Sequence, residues 1–236
     1  MNFIGVDACK GGWFVVQCGG PVGFRVQLCH DIAELWRRFY GVGAILIDIP
    51  IGLAGASLQS RACDVAVRSQ LGWPRSSSVF SPPCREALRA RNYVEACTIN
   101  QRITGRKLSR QAYGILPKIR EVDDFLLGNV TARHVFHETH PELCFYVLNQ
   151  GRPMKYGKKS HNGFRERMRV LVRCCPDTGD VFEQSRKMHS KSVLGDDDIL
   201  DSLVNAVVAL RGQGRYTPVP ERPEHDSVGL DMAIWC

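Results

Sequence analysis

The chain has 236 residues and a mass of 26.4 kDa, enough for one α/β domain with an insertion and short for two full domains. Apolar residues make up 44%, which supplies a core and excludes global disorder, and no uninterrupted apolar run reaches the roughly 20 residues that cross a bilayer. An excess of 31 basic over 24 acidic residues gives a net charge of +7, which suits a polyanionic partner without requiring one.

The chain opens on Met1-Asn2-Phe3-Ile4 and enters a strand pattern directly, with no basic stretch, apolar stretch and cleavage site in series; a cytoplasmic protein is expected. Phe3 to Val6 reads as a short strand ending at Asp7. After Gly11-Gly12 a second strand runs over Trp13 to Gln17, and after Gly19-Gly20-Pro21 a third lies around Phe24 to Leu28. Asp31 is suited to cap a helix over Ile32 to Tyr40, with Glu34 at capping-box spacing. Ala44 to Ile49 is a nearly continuous apolar run carrying Asp48, the pattern of a strand covered on both faces.

Residues 56–129 read as a mostly helical insertion, with helical patterns over Arg61 to Gln70, Glu86 to Asn100 and Ser109 to Leu127; Pro117 is expected to kink or restart the last. Val130 to Glu138 returns to strand. Arg165 to Arg173 and Asp197 to Arg211 are helical, and residues 212–236 form a tail rich in proline and charge, with Leu230 to Trp235 able to add a packed segment. The domain organisation expected is one domain over 1–236, with no internal repeat.

The ten cysteines include no Cys-x-x-Cys pair, and Cys174-Cys175 are adjacent, a poor geometry for chelating one ion; reduced core thiols are expected. His134, His137 and His140, spaced by three, would suit zinc on a helix. Pro141 and the β-branched content favour a strand instead, where His134, Glu138 and His140 share one face.

Carboxylates in apolar runs carry most of the information, because a bare buried charge costs several kcal/mol and calls for a hydrogen bond, a partner or a metal. Asp7 and Asp48 stand at strand ends, where bonding to backbone amides is the plain alternative. In Gly195-Asp196-Asp197-Asp198-Ile199-Leu200-Asp201, helix capping accounts for Asp196 and Asp197. Asp201 lies a turn further in, on the edge of the apolar stripe, and shares a flank with Asp198 at i and i+3. A late helix presenting two carboxylates to strand-end aspartates is what a divalent-ion site needs: hard cations take several oxygens, and two ions about 4 Å apart can activate water and stabilise a leaving oxygen. Glu138 is a further candidate ligand and His140 a candidate general base or phosphate contact. Arg75 with Ser76, Ser77 and Ser78 could bind a phosphate, with Arg85 assisting; Lys10, Lys118, Lys158 and Lys159 are candidate backbone contacts.

Several stretches resemble the family called domain of unknown function 429, described as predicted nucleases of ribonuclease H-like fold. They are Gly5-Val6-Asp7-Ala8-Cys9-Lys10-Gly11-Gly12-Trp13, Ile47-Asp48-Ile49-Pro50, Pro74-Arg75-Ser76-Ser77-Ser78, Gln111-Ala112 with Pro117-Lys118-Ile119, Glu138-Thr139-His140-Pro141-Glu142 and Asp198-Ile199-Leu200-Asp201. The β-β-β-α-β opening agrees with that fold. The resemblance implies a mixed sheet flanked by helices and metal-dependent cleavage of DNA or RNA. It also resembles Holliday-junction resolvases, in which a first-strand aspartate and an Asp-x-x-Asp pair bind Mg2+ or Mn2+. Here Asp7, Asp198 and Asp201 match, with Asp48 or Glu138 as the remaining carboxylate. A non-catalytic binding or assembly module is an alternative, as is an actin-like nucleotide phosphotransferase, which needs a second Asp-Gly hairpin that the chain lacks. A homodimer is compatible with all three.

Overall fold

The structure, a computed structural model, describes residues 1–21 and 23–236. Three antiparallel strands begin it, β1 (Asn2–Cys9), β2 (Gly12–Gly19) and β3 (Arg25–Cys29), followed by helix α1 (Ile32–Arg38) and β4 (Ala44–Ile47). Asp31 caps α1, its carboxylate accepting the Glu34 amide at 2.7 Å. Chain order then gives α2 (Ala62–Leu71), two short 3-10 turns (Ser76–Ser78 and Arg85–Arg89), α3 (Tyr93–Thr104), α4 (Arg110–Gly128), α5 (Val130–Arg133), β5 (Phe136–Glu138), α6 (Pro141–Leu148), α7 (His161–Cys174), α8 (Thr178–Met188), α9 (Asp196–Gly212), β6 (Pro218–His225) and β7 (Asp231–Trp235).

The five-stranded mixed sheet has the order β3-β2-β1-β4-β5, with β1, β4 and β5 parallel and β2 antiparallel to both its neighbours, a ribonuclease H-like arrangement. Helices cover both faces. Phe14, Val16 and Leu46 pack beneath the apolar residues of α6 to α9, and Val6, Val15 and Ile47 pack beneath α1 and α4. Helix α4 is therefore a layer of the main core, through Leu116, Ile119, Val122 and Leu126, rather than part of a detached insertion. It runs unbroken from 110 to 128 with Pro117 inside.

Helix α9 runs antiparallel to β1, and one glycine sets how closely. A Cβ on Gly5 would lie 2.1 Å from the Ala206 amide nitrogen and 2.3 Å from the Ser202 carbonyl oxygen, distances no side chain tolerates. Ser202 and Asn205 fasten the helix by donating to the carbonyls of Phe14 and Val6, both at 3.1 Å.

Several expectations are corrected. Val130 to Glu138 is not one strand: Asn129 accepts the Ala132 amide and starts the short helix α5, leaving three residues for β5. Pro141 opens helix α6, where its missing N–H costs nothing. Glu86 to Asn100 divides at Asn92, which caps α3 by accepting the Glu95 amide. Helix α8 was not anticipated. Strands β6 and β7 form an antiparallel hairpin out of the expected tail, packed on α2 through Met232, Ile234, Cys63 and Val67, with the prolines of β6 on an edge that needs no further ladder. Among the described residues no helix is long and apolar enough to cross a membrane.

Candidate metal centre

The parallel register of β1 and β4 pairs Val6 with Ile47, so the next residues, Asp7 and Asp48, emerge side by side at the carboxyl ends of the two strands. In open α/β sheets that end is where ligands bind. Helix α9, held down at Gly5, brings Asp201 to the same place from above. Asp7, Asp48 and Asp201 each offer a carboxylate oxygen within 4.8 Å of the others, and among the described residues no other group of three His, Cys, Asp or Glu side chains converges in this way. Asp7 is 7% exposed and Asp201 1%, while Asp48 is half-buried.

Burial and mutual repulsion dominate the electrostatics. Desolvation, then the charges of Asp48 and Asp201, push the Asp7 carboxyl well above its ordinary value; Lys158 offsets part of this. Desolvation and then Asp201 push Asp48 up to about 7. Two protein cations touch or border the cluster. Lys158 donates from Nζ to Asp201 Oδ2 at 2.5 Å, and the Ala8 amide donates to Asp7 Oδ1 at 2.7 Å. Arg75 lines the surrounding space.

Asp198 lines the same cavity but sits outside the converging trio, because its Oδ2 accepts the Gly195 amide at 2.9 Å and closes the start of α9. The capping role expected of Asp196 and Asp197 thus falls to Asp198, while Asp196 pairs with Arg186 and Lys191 at 3.3 and 2.8 Å. Burial raises the Asp198 carboxyl, against the lowering effect of that amide.

Above the carboxylates lies a cavity of about 370 Å3, walled by residues from every part of the chain. Arg75 and Ser77 reach it from the segment after α2, and Gln111 from the first turn of α4. The Arg75 Nε is buried and has no hydrogen-bond partner among the described residues. His140 also lines it. Its Nε2 faces the Ser78 carbonyl at 3.4 Å, which places the ring proton there and leaves Nδ1 as a bare acceptor, buried and unpartnered among the described residues. Desolvation lowers its pKa, so the ring is neutral near pH 7.

Four expected residues do not join the site. Glu138 points away from the trio and makes a buried ion pair with Arg61, while its Oε2 also accepts the Ile51 amide at 2.6 Å; Arg61 in turn lies 3.7 Å from Asp64. Lys118 pairs with Glu121 at 3.0 Å over the Trp13 ring, and Lys10 stands exposed in the β1–β2 turn; neither lines the cavity. Arg85 is held by Asp123 and Asp226. The histidines do not converge: His134 ends α5, and His137 packs against Trp235 and Tyr216, at ring separations of 5.0 and 5.7 Å. All ten cysteines are free thiols.

One cavity residue was overlooked as a site residue. Glu142, in the first turn of α6, is 6% exposed, with one oxygen bonded to the buried Arg167 and Oε2 without a partner among the described residues. Its only sequence signal was a carboxylate two residues beyond His140.

The model of one protein family, described as protein of unknown function (DUF429), matches residues 5–225, and the chain belongs to that family. No curated protein and no solved structure matches it.

Proposed function

We propose that this DUF429 protein is a divalent-metal-dependent phosphodiesterase acting on nucleic acid, with Asp7, Asp48 and Asp201 holding Mg2+ or Mn2+. The observation that carries the reading is the meeting of three carboxylates, from positions 7, 48 and 201, within 4.8 Å in a buried place where Lys158 meets only part of their charge. An all-oxygen donor set suits a hard cation, and the Asp7 and Asp48 carboxyls, raised first by burial and then by the neighbouring aspartates, would be relieved by a bound cation. Asp198, which lines the same cavity, would add its charge to the site.

When bound, the ion polarises a phosphoryl oxygen and favours ionisation of water. The protein's own groups supply the rest. Arg75 and Ser77, on the cavity wall, hold the substrate phosphate, and Lys158 stands beside Asp201 to meet its remaining charge. The attacking water gives its proton to solvent, while His140, whose Nδ1 is buried, shapes the cavity wall through its Nε2 contact with the Ser78 carbonyl. The water oxygen forms its bond to phosphorus as the bond to the bridging oxygen breaks, and that oxygen leaves with a proton from solvent. A net charge of +7 favours a nucleic-acid partner, and a cytoplasmic location forms part of the same reading.

The test is incubation with Mn2+ and a panel of labelled DNA and RNA structures, beside Asp7→Asn and Asp201→Asn. Metal-dependent cleavage that falls at least about 100-fold in both variants is expected. Equal activity in the variants would sink the assignment, and tight Mn2+ binding without turnover on any substrate would favour a non-catalytic module.

A further inference from the structure

We infer that the centre takes a single divalent ion and that the ammonium of Lys158 stands where a second ion would otherwise sit. The inference rests on the metal reading above and deepens it, replacing the two-ion expectation raised by the sequence with one ion and one lysine.

Four observations lead to it. Lys158, on the segment between α6 and α7, reaches in to put Nζ 2.5 Å from Asp201 Oδ2, a carboxylate whose side chain is only 2% exposed. A two-ion centre holds its ions about 4 Å apart and shares carboxylates between them; here one oxygen of Asp201 is already taken by a protein cation. Secondly, the ligands run short. Among the described residues only three side chains converge, and Asp198, the natural fourth, lies outside that trio with Oδ2 on the Gly195 amide. Glu142 borders the cavity, but the charge of Arg167 answers its own.

The third observation is the charge balance. One divalent ion and one ammonium match the carboxylates of Asp7, Asp48 and Asp201, whereas a second divalent ion beside Lys158 would leave an uncompensated positive charge even with Asp198 counted, at a cost of several kcal/mol in a largely buried place. The fourth is position. Lys158 also borders a larger cavity of about 820 Å3 beyond the carboxylates, together with Lys159, His161 and Arg186. A substrate strand passing from one cavity to the other would cross Lys158, so the lysine stands on the substrate's path as well as on Asp201. Unlike an ion, it is tethered to the chain and does not depend on metal concentration.

The experiment counts Mn2+ ions by calorimetric titration and by electron paramagnetic resonance on the full-length protein, as wild type, Lys158→Met and Lys158→Arg. Wild type and Lys158→Arg are expected to bind one ion per chain with an uncoupled six-line spectrum. Lys158→Met, which frees Asp201, is expected to bind the first ion at least about tenfold more tightly and to admit a second, spin-coupled ion. Two coupled ions in the wild type would overturn the inference and leave the metal reading intact; so would a Lys158→Met protein with unchanged count and affinity. No ion in the wild type would overturn both. One ion bound, with no cleavage of any nucleic acid, supports the count and removes the phosphodiesterase reading. Because the wild-type count needs no substitution, the test survives a variant that fails to fold.

Discussion

Replacing Glu138 by glutamine separates a carboxylate that holds the fold from those that hold the ion. The Arg61 and Glu138 side chains are 1% and 5% exposed, and the bond between them ties the end of β5 to the segment that begins α2. Glu138 Oε2 also accepts the Ile51 amide, fixing the stretch that follows Asp48. Removing one partner of such a buried pair costs about 3–5 kcal/mol, because the other charge is left without compensation. Asp64 remains 3.7 Å from Arg61, and a glutamine oxygen can still accept the Ile51 amide. Burial pushes the Glu138 carboxyl up to about 8 against the pull of Arg61, so the lower end, about 3 kcal/mol, is expected above that pH, where the carboxyl is ionised. For a chain of this length each kcal/mol lowers Tm by roughly 2–4 °C, which gives a fall of roughly 6–12 °C in thermal unfolding with chelator present. Below that transition the variant should bind Mn2+ within about threefold of wild type, since the site keeps all its charges. Asp48→Asn should do the reverse, losing Mn2+ binding with no loss of metal-free stability. A Glu138→Gln protein destabilised by less than about 1 kcal/mol would mean that this carboxyl carries no charge in the fold. One that folds well and binds no metal would make Glu138 the ligand and refute the assignment.

Asp48 also predicts a pH dependence. Its carboxyl moves from an ordinary 3.8 to about 7 in the fold, so between those values the folded chain holds more protons than the unfolded one. The stabilisation is complete below about pH 4 and is lost as pH rises through about 7. Metal-free wild type should therefore lose stability across that window relative to Asp48→Asn, in urea titrations at a series of pH values, and Mn2+ affinity should rise across the same window with release of protons; equal pH profiles for the two proteins would contradict the shift. Gly5→Ala forces a methyl against the Ser202 and Ala206 backbone and should cost about 3 kcal/mol or more. The refolded variant should also bind Mn2+ more weakly, because α9 must lift Asp201 away from Asp7; unchanged stability would show that the close approach has slack.

What could be read from the chain alone follows the range of the interactions. Asp7 and Asp48 stood out because a carboxylate inside an apolar run needs an answer, and Asp201 because it lies beyond the reach of capping. The opening strands and α1 were legible because tight glycine turns and an Asp31 cap act within a few residues. Glu138 stayed an alternative to Asp48, since its partner Arg61 is 77 residues away and nothing local distinguishes a structural ion pair from a metal ligand. Lys158 was named only as one basic residue among several, because an irregular loop gives no pattern from which to place its ammonium against Asp201. Val130 and Thr131 suggested strand through β-branching, yet the Asn129 cap prevailed. The β6 prolines suggested a loose tail because pairing with β7 depends on packing against α2, a contact that no local pattern encodes.

The most direct test of the account is diffraction from crystals soaked in MnCl2, with data collected at the manganese absorption edge. An anomalous peak bonded to oxygens of Asp7, Asp48 and Asp201, and absent from Asp201→Asn crystals, is predicted. A peak bound elsewhere with these three carboxylates unoccupied, or no peak at saturating Mn2+, would contradict it.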